Sequence, residues 1–192
     1  MNVYDFDQTI FFPDSSYCFV MYCLRHYPRA VLSAVPGVAL AGGKLALKRI
    51  RTRELKEQVF SFLPELFDVD RIVEDFWQEN EGRVAKWYLE QRRPDDVIIS
   101  ASPEFLLRPI AEKLGFHLIA TRMDRHTGRI IGENCHDAEK VSRFLREFPG
   151  AQPDNFYSDS LSDSPMAWYS RCAWLVKSET ERVPWPQPPY VK

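Results

Sequence analysis

Asp5 and Asp7 stand one residue apart, directly after the short apolar run of Val3 and Tyr4. Alternate residues leaving a strand can aim two carboxylates into one crevice. One carboxylate of such a pair can attack phosphorus and carry the phosphoryl group as an aspartyl-phosphate, which divides a hard hydrolysis into two easier steps. The other can protonate the leaving oxygen and then activate water. Two acids so close repel one another unless a cation sits with them. Asp159 or Asp163, from the segment Asp159-Ser160-Leu161-Ser162-Asp163, would complete an oxygen-rich site suited to magnesium, a hard ion that takes carboxylates, water and phosphate oxygen.

Ser100 and Lys140 suit a phosphate. Lys140 falls in the first turn of an expected helix, where the dipole disfavours a cation. A residue that breaks a local rule without structural gain points to function, and a bound anion would account for it. Each feature has an ordinary alternative when taken singly. A lone Asp-x-Asp is commonly a solvated turn or a helix cap, Ser100 a turn residue, Lys140 a surface charge, and 159–163 a hydrophilic first turn. Order and context set them apart, because all four fall at expected strand ends or helix starts. In open α/β sheets ligands collect at the carboxyl ends of the strands.

The elements that must position these groups are legible as periodicities. Val97-Ile98-Ile99 is a continuous apolar run, as in a strand buried on both faces. His117–Thr121, Asn155–Ser158 and Ala173–Val176 are further strand candidates, and Thr127-Gly128 marks a turn between two extended runs. Ser102-Pro103 reads as a helix cap followed by proline at the first helical position. Leu107, Ile110, Ala111 and Leu114 give the helical stripe, Pro109 predicts a kink within it, and Gly115 a stop. Val141, Phe144, Leu145 and Phe148 give another helix. The stretch from Ser15 to Arg93 reads as helical almost throughout, with a long helix expected over 70–91. Strands alternating with helices predict an α/β fold, a Rossmann-like parallel sheet with helices on both faces. The expected division is a core of residues 1–13 and 95–192 and a smaller, all-helical cap of 14–94. The proline-rich tail, 183–192, is expected to lack regular structure.

The combination of Asp5-Phe6-Asp7-Gln8-Thr9, Ser100 after Val97-Ile98-Ile99, Lys140 and Asp159-Ser160-Leu161-Ser162-Asp163 resembles the haloacid dehalogenase-like phosphatases. The helical insert between the first two motifs is similar to the cap of the phosphoserine-phosphatase-like branch. The resemblance implies Asp5 as nucleophile and Asp7 as general acid/base. It implies magnesium held by Asp5, the backbone carbonyl of Asp7, and Asp159, with Asp163 supporting the ion through water and Ser100 and Lys140 holding the transferring phosphoryl group. Three positions depart from the commonest family pattern. Gln8 stands where glycine is frequent, Ala101 where glycine often follows the serine, and the last motif lacks the usual glycine-aspartate opening. An aspartate at position 7 implies a phosphatase or phosphomutase, since dehalogenases lack that carboxylate and ion-pumping ATPases carry threonine. The substrate class implied is a small phosphorylated metabolite. A related branch acts on phosphatidylglycerophosphate and carries a hydrophobic cap segment, which leaves a lipid phosphate as an alternative. A phosphate- and metal-binding module without turnover is a second alternative, against which the intact Asp5 and Asp7 argue.

The bulk numbers set bounds. A chain of 192 residues with 45% hydrophobic and 27% charged residues is ordinary for one globular core with a modest second lobe. Its net charge of −2 gives no basic field for nucleic acid. Four cysteines lack any zinc-like spacing and read as reduced thiols, and the start shows no signal-peptide pattern, so a cytoplasmic location is expected. His26, His117, His126 and His136 show no ligand spacing and read as structural, and Trp77 and Trp87 as core. Ala30–Leu47 carries no charge before Lys44 but is broken by Pro36 and by glycines, so it reads as a buried or interfacial helix rather than a membrane span. Lys44, Lys48, Arg49, Arg51, Arg53 and Lys56 follow, interrupted only by Glu54. Three readings stand for that cluster: a solvated helix face, a guide for phosphorylated substrates, and a weak contact with anionic membrane surface. The first is the common case. The oligomeric state is not legible.

Overall fold

The computed structural model describes residues 1–47 and 52–187. Six strands form one sheet: β1 (Asn2–Tyr4), β2 (Val97–Pro103), β3 (His117–Thr121), β4 (Asn155–Ser158), β5 (Cys172–Val176) and β6 (Arg182–Pro184). Their order across the sheet is β3-β2-β1-β4-β5-β6. The first five are parallel, and β6 runs antiparallel beside β5. Val3 lies between Val97 and Phe156, so β1 is the central strand on which both halves register. It is buried along its whole length, as a strand covered on both faces must be.

Among the described residues there are eight α-helices. They are α1 (Ser15–His26), α2 (Pro28–Ala46), α3 (Thr52–Val59), α4 (Val69–Asn80), α5 (Lys86–Gln91), α6 (Glu104–Leu114), α7 (Ala138–Glu147) and α8 (Ser164–Tyr169). Alternation along the strands decides the layers. Tyr4, Ile98 and Leu118 point to one face and join residues of α1, α4, α5 and α6. Val3, Val97, Ile99 and Ile119 point to the other and join Phe144 of α7 and Met166 and Ala167 of α8. The helical stretch therefore shares an apolar cluster with one face of the sheet. Phe6, Phe11 and Phe76 all pack on Trp77, whose indole N–H donates to Leu106 O at 2.6 Å.

The structure differs from the sequence expectation in three places. The helix expected over 70–91 is two helices, α4 and α5. Between them lie a 3-10 turn at Glu81–Arg83 and an extended Val84 that bridges to Phe11. Gly82 favours helix poorly, and the backbone of Ala85 finds a better partner in Ile10 O at 2.8 Å. Trp77 and Trp87 consequently sit on different helices. Ser102 does not cap α6: Pro103 ends β2, and the Ser102 hydroxyl is engaged elsewhere, as described below. The tail is not wholly irregular, because β5 has an open edge that Arg182–Pro184 takes up; residues 188–192 lie outside the described residues. Among the described residues no helix is long and apolar enough to cross a membrane.

Candidate active site

The strand order reverses direction between β1 and β4: from β1 the chain builds outward to β2 and β3, and from β4 to β5. Connections leave the sheet on opposite sides at that point, which opens a crevice beyond the carboxyl ends of the strands. Asp5 follows β1 and 159–163 follows β4, so both flank this crevice. The backbone N–H of Asp5 donates to Tyr157 O at 2.8 Å, which extends the β1–β4 ladder by one residue and fixes where the Asp5 side chain starts. The chain then folds back tightly, with Ile10 N and Phe11 N both donating to Phe6 O at 3.0 Å. Gln8, at the tip of this turn, has φ of +56°, the left-handed region that favours glycine.

The structure brings Asp5, Asp7, Ser100, Lys140, Asp159 and Asp163 to the lining of one crevice of about 230 Å³. Lys140 is its pivot. The side chain is 1% exposed, and its ammonium donates to Asp5 Oδ1 at 2.8 Å and to Asp163 Oδ2 at 2.6 Å. Burial alone would depress this amine, but the two carboxylates outweigh it and hold its pKa above the usual lysine range. They also explain a cation in the first turn of α7. Asp137, which turns the chain into that helix, itself has φ of +56°. Burial pushes Asp5 above the ordinary carboxylate range, Lys140 opposes this, and the charges of Asp163 and Asp7 add to it.

Asp7 is held differently. Its Oδ1 accepts from the backbone N–H of Ser15 at 2.6 Å and its Oδ2 from the hydroxyl of Ser102 at 2.5 Å. The Ser102 hydroxyl lies in turn 2.9 Å from that of Ser16 and accepts from that of Ser15 at 3.2 Å. Burial and the charge of Asp14 push Asp7 up to about 6, against the Ser102 and Ser15 hydrogen bonds. Ser100 is buried, and its hydroxyl accepts from Ser102 N at 3.0 Å. Asp159 is half-buried, which raises its pKa, and its backbone N–H donates to Thr9 Oγ1 at 3.0 Å.

Lys56, Ser102, Thr9 and Asp14 belong to this neighbourhood without having been assigned a role in the site from the sequence. Lys56 reaches in from α3 and donates to Ala101 O at 2.8 Å and Asn134 Oδ1 at 3.2 Å. Burial lowers its pKa, opposed by the charges of Asp7 and Asp14. Thr9 carried a signal, as the last residue of Asp5-Phe6-Asp7-Gln8-Thr9. His136, read as structural, also lines the crevice.

The donor set fits a hard divalent cation. Five carboxylates line the crevice against two ammonium groups, Lys56 and Lys140. Asp163 Oδ1 is buried with no hydrogen-bond partner, an acceptor that a cation or its water would satisfy. Among the described residues no three carboxylate, histidine or cysteine side chains converge as a metal cluster. A magnesium ion held by two carboxylates, a backbone carbonyl and water requires no such trio.

A larger groove of about 710 Å³ between α4, α6 and the loop after β3 contains the Arg125–Asp70 ion pair but no comparable set of buried charges among the described residues.

A Rossmann-like sheet with paired acids at its switch point defines an α/β protein with an aspartate-centred site. The chain belongs to the haloacid dehalogenase-like hydrolase family, whose model matches residues 3–167. Among solved structures it is similar to a protein of unknown function from Bordetella pertussis Tohama I, with a TM-score of 0.71 and 22% identity over 90% of this chain and 87% of that one. It is also similar to a phosphoserine phosphohydrolase-like protein from Francisella tularensis, with a TM-score of 0.54 and 13% identity over 90% and 86% of the two chains. A phosphoserine phosphatase solved as a phospho-aspartyl intermediate analogue matches with a TM-score of 0.54 and 15% identity over 89% and 83%. At these identities the likeness is one of fold. None of the curated proteins matches the sequence.

Proposed function

We propose that this protein is a magnesium-dependent phosphatase that hydrolyses a small phosphomonoester through an aspartyl-phosphate on Asp5. The observation that carries this reading is the placement of Lys140 on Asp5 at 2.8 Å beside an Asp7 held by Ser102 and Ser15. Two acids in one crevice are thereby given different partners, a buried ammonium for Asp5 and hydroxyl and backbone donors for Asp7. Asp5 is paired with a buried cation, which opposes the upward push of burial on its pKa, and bound magnesium would complete the stabilisation of its ionised, nucleophilic form. Asp7, raised towards neutrality, can give a proton to the leaving oxygen and later take one from water. Ser100 and Lys140 would hold the phosphoryl oxygens. Asp5, the backbone carbonyl of Asp7, and Asp159 would hold magnesium, with Asp163 supporting it through water. The ion supplies charge neutralisation at the phosphoryl oxygens when bound.

The division into a core of 1–13 and 95–192 and a helical cap of 14–94 belongs to this reading. It is supported by the largely helical character of the described residues between 15 and 91 and by Lys56, which the cap lends to the crevice. The small crevice supports a metabolite-sized substrate. Four free cysteines, three of them buried, support a reducing compartment such as the cytoplasm.

The test is turnover of 4-nitrophenyl phosphate with magnesium, followed by excess EDTA. Hydrolysis should stop on chelation and return with added magnesium, and Asp159→Ala should weaken magnesium binding more than Asp163→Ala. Turnover that persists in excess EDTA would break the metal assignment.

A further inference from the structure

The outer face of α2 breaks the usual rule for surface helices. Between Arg29 and Lys44 the helix carries no charge and a single hydroxyl, Ser33, a composition that normally means enclosure. Only one side is enclosed, through Val31, Ala34 and Ala41. The opposite side carries Leu32, Val35 and Leu40, which are 57%, 50% and 62% exposed, with Leu47 just beyond at 67%. Ala39 and Gly43 share that side at spacings of three and four and are also exposed. Single exposed leucines are ordinary, whereas a continuous stripe marks a contact surface.

The charges around the stripe say what it contacts. Between Asp14 and Glu54 there is no acidic residue, although the chain as a whole carries a net charge of −2. Seven of its 25 lysines and arginines fall in that interval. Arg25 and Arg29 are exposed at one end of the stripe and Lys44 at the other. Lys48, Arg49 and Arg51 continue the series in sequence but lie outside the described residues. An apolar stripe flanked by cations matches a hydrocarbon layer beneath anionic headgroups. A second copy of the chain matches worse. Antiparallel pairing of two α2 helices sets Arg29 of one against Lys44 of the other, and parallel pairing sets each cation against itself. The basic cluster is also less of a solvated face than its sequence suggests, since Arg53 donates to Ile130 O at 2.9 Å and Lys56 turns into the crevice.

We propose that the outward face of α2 docks this protein on the surface of an anionic lipid bilayer. No described helix can span a membrane, so α2 lies in the interface with Leu32, Val35 and Leu40 inserted and Arg25, Arg29 and Lys44 at headgroup level. The next helix, α3, carries Lys56 into the crevice, so the docking face stands one helix away from the site. This inference goes beyond the proposed chemistry and does not depend on it.

The experiment is co-sedimentation with vesicles of phosphatidylglycerol and phosphatidylcholine, compared with phosphatidylcholine alone. Binding is expected only to the anionic vesicles and should fall as salt rises, because charges are screened over about 8 Å at physiological ionic strength. Arg25→Gln, Arg29→Gln and Lys44→Gln together should lower partitioning about a hundredfold, about fivefold per charge. Leu32→Ser with Leu40→Ser should lower it more than about tenfold. Both variants alter exposed residues and should keep the wild-type circular dichroism and turnover of 4-nitrophenyl phosphate. Quenching of the Leu40→Trp variant by brominated lipid, above the wild-type background, should place this face in the bilayer. Wild-type protein left in the supernatant at low salt, variants that sediment like wild type, or no added quenching in Leu40→Trp would each overturn the proposal. So would a dimer by light scattering that the leucine variant dissolves, which would assign the face to a second copy.

Discussion

The crevice beyond β1 and β4 and the outer face of α2 depart from the ordinary partition of polar and apolar groups in opposite directions. In the crevice, an ammonium and two carboxylates are taken out of water. On α2, leucines and valine are left in it. The first departure is compensated within the chain, because Lys140 meets both Asp5 and Asp163 and Ser158 donates to Asp163 at 2.7 Å. One atom escapes, the buried Asp163 Oδ1, and it belongs to the residue proposed to support magnesium. The second departure has no compensation among the described residues. A violation answered inside the molecule is a site prepared for chemistry, and one answered by nothing inside it calls for an outside surface.

The largest expected effect tests the first half of that contrast. Asp5→Asn should lower turnover by about 10⁶-fold, the scale of removing a nucleophile outright. Stability should hold or rise. The raised pKa of Asp5 means that its charge opposes folding at neutral pH, and Lys140 keeps Asp163 when the amide replaces the acid. Urea unfolding beside the activity assay checks both, and a variant that is inactive because it is unfolded would break the argument. Lys140→Met should do the reverse to stability. It leaves two carboxylates buried against each other, and loss of one partner in a buried ion network costs about 3–5 kcal/mol. The equivalent insult on α2, Leu32→Ser, should cost little, since that side chain is more than half exposed.

This asymmetry also governs what was legible beforehand. Asp5, Asp7, Ser100, Lys140, Asp159 and Asp163 could be picked out because each sits where a short apolar run stops or a helix starts, and such ends converge in an open α/β sheet. Lys56 and Ser102 could not. Lys56 looked like one more member of a basic cluster, and only the packing of α3 turns it inward. Ser102 looked like a helix cap, yet its hydroxyl serves an acid 95 positions away in the chain. The break between α4 and α5 depends on Phe11 and Ile10 offering extended partners, which no local pattern reports. With no charge between Arg29 and Lys44, α2 gives little periodic signal, so which side of it would face water was open until the fold was known.

Backbone changes sharpen the comparison at smaller scale. Gly128 lies in the loop after β3 with φ of +70°, and a Cβ there would meet Phe60 O at 2.3 Å, just past the end of α3. Gly128→Ala should cost about 2 kcal/mol, combining left-handed strain with a clash against backbone that cannot give way. Because the loop abuts the segment that carries Lys56, KM for a phosphomonoester should rise as well. Wild-type unfolding and KM would show that this contact is loose.

The smallest effects come from a reciprocal pair, one in each region. Gly43 sits near the end of α2 with nothing within 4 Å of an added Cβ, so alanine fits without contact. Gly43→Ala should stabilise by about 0.5 kcal/mol, part of the helix-propensity difference, since the position lies in the last turn. Gln8→Gly should stabilise by a similar amount for the opposite reason. It relieves left-handed strain of about 1 kcal/mol and gives part of that back through the freer unfolded chain. The two should part company in activity. Gly43→Ala adds a Cβ that meets nothing at an exposed position outside the crevice and should leave turnover unchanged. Gln8→Gly loosens the turn that holds Asp5 and Asp7 in register and should lower kcat while the protein grows more stable. Equal kcat in both variants, measured beside thermal unfolding, would mean that the strain at Gln8 is incidental to the site.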